Sequence, residues 1–175
     1  MSATFESARL RMRPTQIDDA EALHQAYCDP HLMQWWSSGP HADVAETHAY
    51  LAQRLDQAGA RGWTITRQAD DVAIGTLWAG AKRPGVSEIG YMLVRSAWGQ
   101  GYAQEAVTRL IDLLLREEGQ RRIFADTDPD NSASNRLLAR LGFVQEGRLR
   151  GEWETHIGVR DSFIWGLLAD DWIKR

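Results

Sequence analysis

Three short apolar-rich segments, separated only by turn residues, set the strongest limit on how this chain can fold. Gly62-Trp-Thr-Ile-Thr-Arg67 alternates in polarity, and residues 68–71 carry a turn signal. Val72-Ala-Ile-Gly-Thr-Leu-Trp-Ala79 follows, Lys82-Arg-Pro-Gly85 turns the chain again, and Ser87-Glu-Ile-Gly-Tyr-Met-Leu-Val94 completes the set. Strands joined this closely pair antiparallel, because a parallel neighbour needs a crossover of about a dozen residues. The centre of the fold is therefore expected to be an antiparallel meander.

The flanking segments add to it. Arg9-Leu-Arg-Met-Arg13 alternates and is closed by Pro14, which predicts a first strand. Asp18 with Glu21 marks a helix start, Leu23, Ala26 and Tyr27 supply its buried side, and Asp29-Pro30 stops it. Asp43 and Glu46 open a second helix, whose expected apolar stripe is Val44, His48, Leu51, Leu55 and Ala58, ending at Gly59. Residues 31–40 have no clear period. After residue 101, Ala103, Val107, Leu110 and Leu114 predict a helix running to Gly119, and Arg122-Ile-Phe-Ala-Asp-Thr127 a strand. Leu137, Leu138 and Leu141 mark a fourth helix ended by Gly142, and residues 143–153 and 160–168 are strand-like. No repeat, low-complexity tract or linker divides the chain, so residues 1–175 are expected to form a single domain. The predicted class is mixed α+β, a mostly antiparallel sheet of about seven strands flanked by about four helices.

Composition narrows the function. The net charge of −4 offers no basic footprint for direct nucleic-acid binding. The single cysteine, Cys28, excludes an intrachain disulfide, and its setting suits an apolar filler better than a nucleophile. The N-terminal stretch is interrupted by Glu6, Arg9, Arg11 and Arg13, unlike a signal peptide, and no apolar run reaches membrane-spanning length. A cytoplasmic location follows as the expectation. The five histidines give no metal spacing, so no metal is expected. Eight tryptophans suit the wall of a pocket as well as a core.

The exit from the last meander strand, Val94-Arg-Ser-Ala-Trp-Gly-Gln-Gly-Tyr-Ala-Gln-Glu-Ala106, places Gly99 and Gly101 directly before a helix. The N–H groups at a helix start lack intrahelical partners, the dipole makes that end positive, and glycines let an anion come close. A tight strand-to-helix turn would explain the two glycines equally well. A dinucleotide fingerprint would need glycine at Gln104, and a P-loop would need a Gly-Lys-Ser/Thr that is absent. About thirty residues on, Asn131, Ser134 and Asn135 share one face at the opening of a helix, where capping by Asn131 or Ser132 is the simpler reading.

Together these pieces resemble the GCN5-related N-acetyltransferase superfamily, in particular the branch typified by ribosomal-protein N-terminal acetyltransferases. The resemblance runs along nearly the whole chain: Arg9-Leu-Arg-Met-Arg-Pro14, Ile74-Gly-Thr76, Glu88-Ile-Gly-Tyr91, Trp98-Gly-Gln-Gly-Tyr-Ala103, Asn131-Ser-Ala-Ser134, Leu141-Gly-Phe143, Arg160-Asp-Ser162 and Leu167-Leu168. It implies acetyl-CoA as donor, a primary amine as acceptor, and direct attack on the thioester. It assigns the diphosphate to the backbone of Gly99, Gln100, Gly101, Tyr102 and Ala103, with Trp98 standing where a polar residue is usual. It assigns the pantetheine amides to the edge of Met92, Leu93 and Val94, with the Leu93 N–H supporting the oxyanion. Asn131 would bond the pantetheine arm, and Arg136 would meet the outer phosphate unless it is simply solvated.

Glu88 is the favoured general base, ahead of Glu152, although either fits an ordinary strand charge. Many relatives carry a tyrosine seven positions after the motif asparagine. Leu138 stands there instead, leaving Ser134 to stabilise the leaving sulfur. Trp35, Trp36 and Trp78 are expected to wall the acceptor cleft, or else to be core. The branch points first to a protein N-terminal α-amine as acceptor, with small amines, amino acids and antibiotic amines open; a homodimer is also open. The rival from another class is a non-catalytic acyl-CoA-binding or sensor domain, for which the missing tyrosine speaks.

Overall fold

The meander forms as read. In the computed structural model, which describes residues 3–174, β3 (Ala60–Arg67), β4 (Ala73–Arg83) and β5 (Val86–Leu93) pair antiparallel, with Trp63 opposite Leu77 and Leu77 opposite Tyr91. Gly75 is required there. A Cβ on it would sit 2.2 Å from the Met92 carbonyl oxygen on β5. The sheet continues outward through β2 (Leu10–Pro14) and a two-residue β1 (Phe5–Glu6) on one side. On the other it continues through β6 (Arg122–Thr127) to the hairpin of β7 (Val144–Thr155) and β8 (Gly158–Leu168), in the order β1-β2-β3-β4-β5-β6-β8-β7. The eight strands are the seven expected plus β1, which is too short to show a period.

Every pairing is antiparallel except β5 with β6, which is parallel and covers only Val86 to Glu88 on β5. Beyond Glu88 the two strands part. The Val94 N–H donates to the Ile74 carbonyl at 2.9 Å, so by alternation the backbone groups of Tyr91 and Leu93 face away from β4, into the opening.

Helices cover both faces. α1 (Ala20–Tyr27), α2 (Pro30–Met33) and α3 (Val44–Leu55) lie on the face shared by Thr76, Trp78, Gly90 and Met92. α4 (Tyr102–Ile111), its π-helical extension Asp112–Glu117 and α5 (Ser132–Leu141) cover the other, and α6 (Ala169–Ile173) closes the chain. Leu23, Leu77, Leu110, Ile123 and Leu138 are fully buried between the layers. Gly142 ends α5 with φ of 89°, as its place after Leu141 predicts.

Two local expectations move. The first helix is started by Gln16 and Asp19, which cap each other, rather than by Asp18 and Glu21. On α3 the predicted stripe is rotated. Leu51 is buried as expected and Leu55, though exposed, borders the cleft, but Val44 and His48 are exposed while Thr47, Tyr50 and Arg54 turn inward. The Thr47 hydroxyl lies 2.8 Å from His24 Nδ1 and 2.9 Å from His41 Nδ1, so a polar residue occupies the buried side with its bonds satisfied.

Asp19 ties these layers together. Its buried carboxylate accepts from both terminal nitrogens of Arg13 on β2, from the Gln16 N–H, and from the Thr64 hydroxyl on β3 at 2.7 Å. Burial alone would raise its pKa. The bonds from Arg13, the Gln16 N–H and Thr64 outweigh that and hold it below the usual value of 3.8. A depressed carboxylate stabilises the fold above its unfolded pKa and loses that contribution as pH falls through the folded one. Asp19→Asn is therefore expected to cost about 3 kcal/mol near neutral pH, since it leaves Arg13 without its partner. In urea titrations the gap between the two proteins should narrow below about pH 4.

Candidate active site

The loop between β5 and α4 offers a row of unpartnered amides. Gly99 and Gly101 have φ of 73° and 80°, which a side chain rarely adopts. Gly101 is the N-cap of α4 and no side chain caps the helix; the first backbone bond is Glu105 N–H to the Gly101 carbonyl. Among the described residues nothing accepts from the N–H groups of Gly99, Gln100, Gly101, Tyr102 or Ala103. Five adjacent donors without a protein acceptor thus stand at the positive end of a helix, where an anion is favoured.

The bend between β1 and β2 holds this loop in place. Arg9 donates through Nη1 to the Gln100 carbonyl at 3.0 Å and through Nε to Glu105 at 2.7 Å, and its guanidinium lies 4.5 Å from the Tyr102 ring centre. Glu105 also accepts from the Ser7 hydroxyl and the Arg9 N–H. Burial pushes its carboxyl upward, but these donors win and hold it below the ordinary value. Trp98 is 46% exposed and folds back along the loop, donating from Nε1 to the Leu93 carbonyl at 2.9 Å.

Strand alternation corrects the expected pantetheine edge. Of Met92, Leu93 and Val94, only Leu93 turns its N–H toward the opening between β5 and β6. Met92 faces β4, while the Val94 N–H is bonded to Ile74 and its carbonyl to the Ala97 N–H. The Leu93 N–H, proposed from sequence as the oxyanion donor, keeps that availability.

On the far side of the opening, Asn131 is the N-cap of α5. Its Oδ1 accepts from the Ser134 N–H at 3.2 Å, which leaves its Nδ2 for a ligand. Capping and ligand binding therefore need different atoms of the same amide. Asn135 has no such reserve. It accepts from Thr127 and Trp165 and donates to the carbonyls of Asp128 and Pro129. Arg136 is exposed on α5.

Leu138 is fully buried, so a tyrosine could not be presented to the cleft from there without opening the core. A second hydroxyl stands on β5, where Tyr91 Oη lies 2.6 Å from Ser134 Oγ. Burial, only partly offset by that bond, pushes the Tyr91 pKa up to about 12, so the phenol remains a proton donor. Tyr91 stood inside a quoted motif, but its role depends on how α5 lies over β5, which no local pattern encodes.

A candidate acceptor cleft lies on the opposite face of the sheet. Trp78 lies flat over glycines: a Cβ on Gly80 would meet its ring at 2.4 Å, and Gly90 is directly opposite it on β5. Tyr27, Trp36, Tyr50 and Arg54 close the other wall, and Gly90 and Tyr91 border the opening to the cofactor side. Trp36 and Trp78 are thus wall residues, whereas Trp35 does not line the cleft. Glu88 shares the face of Trp78 but is ion-paired with Lys82 at 2.7 Å and does not line the cleft. Glu152 is exposed in the irregular part of β7, away from these walls. No carboxylate lines the cleft. Among the described residues no group of three or more His, Cys, Asp or Glu is placed to hold a metal ion, and no helix is long and apolar enough to cross a membrane.

Comparison with known proteins matches this geometry. Residues 9–144 fit the model of the acetyltransferase (GNAT) domain. The uncharacterised N-acetyltransferase p20 of Bacillus licheniformis is 31% identical over 174 residues, covering 97% of this chain and 98% of its own. The ribosomal protein uS5-alanine N-acetyltransferase of Escherichia coli is 33% identical over 90 residues, 48% of this chain and 43% of its own. Among solved structures, the ribosomal L7/L12 alpha-N-protein acetyltransferase RimL in complex with coenzyme A superposes with a TM-score of 0.84, covering 97% of this chain and 99% of that one. Its 23% identity is a likeness of fold alone. The uncapped amide row, the parted strands and the matches along the chain lead to one assignment: this protein belongs to the GNAT family of acetyltransferases.

Proposed function

We propose that this chain transfers the acetyl group of acetyl-CoA to a primary amine presented through the aromatic cleft, with a protein N-terminal α-amine as the first acceptor to test. The row of unpartnered N–H groups at the start of α4 carries the reading, because donors without an acceptor at a helix N-terminus favour a bound anion such as a diphosphate. The cosubstrate supplies a thioester carbonyl and a thiol leaving group. The Leu93 N–H is available to polarise that carbonyl, Asn131 Nδ2 to orient the arm, and Arg136 to approach an outer phosphate.

Ser134, backed by the protonated Tyr91, supplies a hydroxyl pair for the departing sulfur. An alkyl hydroxyl is a poor acid, and so is a phenol pushed up to about 12, so the pair would act by donating a hydrogen bond to the charge on sulfur rather than by giving up a proton. Glu88 is the better placed of the two proposed bases, since it shares the face of the cleft, while Glu152 does not approach it. The hydroxyl pair also favours a catalyst over a non-catalytic acyl-CoA sensor. A thiol-release assay over an amine panel, with products identified by mass, tests the reading; acetyl-CoA binding without release would favour the sensor.

Two variants probe the site separately. Gln104→Glu places a carboxylate on the exposed third position of α4, where it competes with the diphosphate for the same dipole. Thermal stability should hold or rise slightly while acetyl-CoA affinity falls roughly fivefold by calorimetry. Ser134→Ala should lower kcat by roughly 10- to 100-fold with acetyl-CoA binding intact. Because Tyr91 stays protonated until about pH 12, the kcat profile should show no limb from its titration through the neutral range.

A further inference from the structure

We infer that the acceptor held in the aromatic cleft is a primary amine that also carries a carboxylate, seated between the guanidinium of Arg54 and the indole N–H of Trp78. This rests on the acetyltransferase reading and names the substrate class it left open.

The first observation is an orphaned donor. Trp63, Trp98, Trp153, Trp165 and Trp172 each donate from Nε1 to an oxygen of the protein. Trp78 Nε1 is buried and has no partner, although its ring forms a wall of the cleft. A buried N–H without an acceptor costs about 1–3 kcal/mol, so a ligand oxygen would recover what the fold leaves unmade.

The second is a cation without a counter-ion. Arg54 lines the same cleft, half-buried, and is in no ion pair among the described residues. Its guanidinium lies 5.5 Å from the Trp78 ring centre and 5.4 Å from that of Tyr50, and Nη1 donates to Tyr50 Oη at 2.9 Å. This leaves most of its N–H fork uncommitted, over the wall that holds the orphaned indole.

The third is the sign of the lining. With Arg54 present and no carboxylate among the lining residues, a polycationic acceptor would meet repulsion and find no counter-charge. Lys82, 5.7 Å from the Trp78 ring, is already balanced by Glu88. One unpaired cation and one neutral donor match a single carboxylate better than a phosphate monoester. Gly90 and Tyr91 border the cleft, so an amine on the same molecule can reach the cofactor side.

The carboxylate can come from a free amino acid or from an acidic residue near a peptide N-terminus, and matched acceptors separate these. Thiol release would be measured for phenylalanine against phenethylamine, for Ser-Asp- against Ser-Asn-initiated peptides, and for putrescine. At least one carboxylate-bearing member should exceed its matched partner by roughly tenfold or more in kcat/KM, the pair that does so identifying the source. Arg54→Gln should bring that ratio to about one through the acceptor KM, leaving acetyl-CoA KM and Tm unchanged, and Trp78→Phe should erode it a few-fold. Arg54→Lys should restore part of it. Equal or better turnover of the carboxylate-free members, or a ratio unchanged by Arg54→Gln, overturns the inference but not the transferase reading. No thiol release from any member, with acetyl-CoA still bound, overturns both.

Discussion

Everything in this molecule follows from where the hydrogen bonding between β5 and β6 stops. Pairing ends at Glu88, so the backbone of Tyr91 and Leu93 faces a gap rather than a strand. Buried backbone donors require partners, and here the sheet withholds them. The loop after β5 repeats the pattern with five more amides. Two groups of unpartnered donors result, one at Tyr91 and Leu93 in mid-strand and one from Gly99 to Ala103 at the start of α4, separated by amides that are already bonded within the protein. The helices on the two faces serve the gap from opposite sides, α5 bringing Ser134 to Tyr91 and α3 bringing Tyr50 and Arg54 to Trp78.

Much of this was legible before the structure because it is written in short-range patterns. Turn residues between alternating segments gave the meander, and Gly99 and Gly101 before an amphipathic helix gave the uncapped loop. Asn131 three residues before Ser134 gave the cap of α5. What sequence periodicity missed shares one cause. On α3 it chose Val44, His48, Leu51, Leu55 and Ala58 as the inner side because they are spaced like a core stripe. Leu51 is buried and Leu55 borders the cleft, but Thr47, Tyr50 and Arg54 take the inward places given to Val44 and His48, since this helix faces a polar, aromatic cleft rather than a dry core. The Tyr91–Ser134 contact joins groups 43 residues apart and depends on tertiary packing alone.

The glycines show the same division of labour. Gly75 permits close approach of β4 to the Met92 carbonyl, whereas Gly80 and Gly90 clear a floor on which one large ring lies flat. In the sequence the three look alike, as small residues inside strands. Only the register, which sets Gly90 opposite Trp78, tells a packing glycine from one that shapes a binding wall.

The bond from Arg9 to the carbonyl of Gln100 spans 91 positions of chain. Through it the edge of the sheet made earliest sets the posture of a loop made much later. Heritable change in either segment is therefore not independent. A lineage that alters the opening strand must re-tune the glycine turn, and a chimera that joins one homologue's beginning to another's middle would inherit a cradle without its brace.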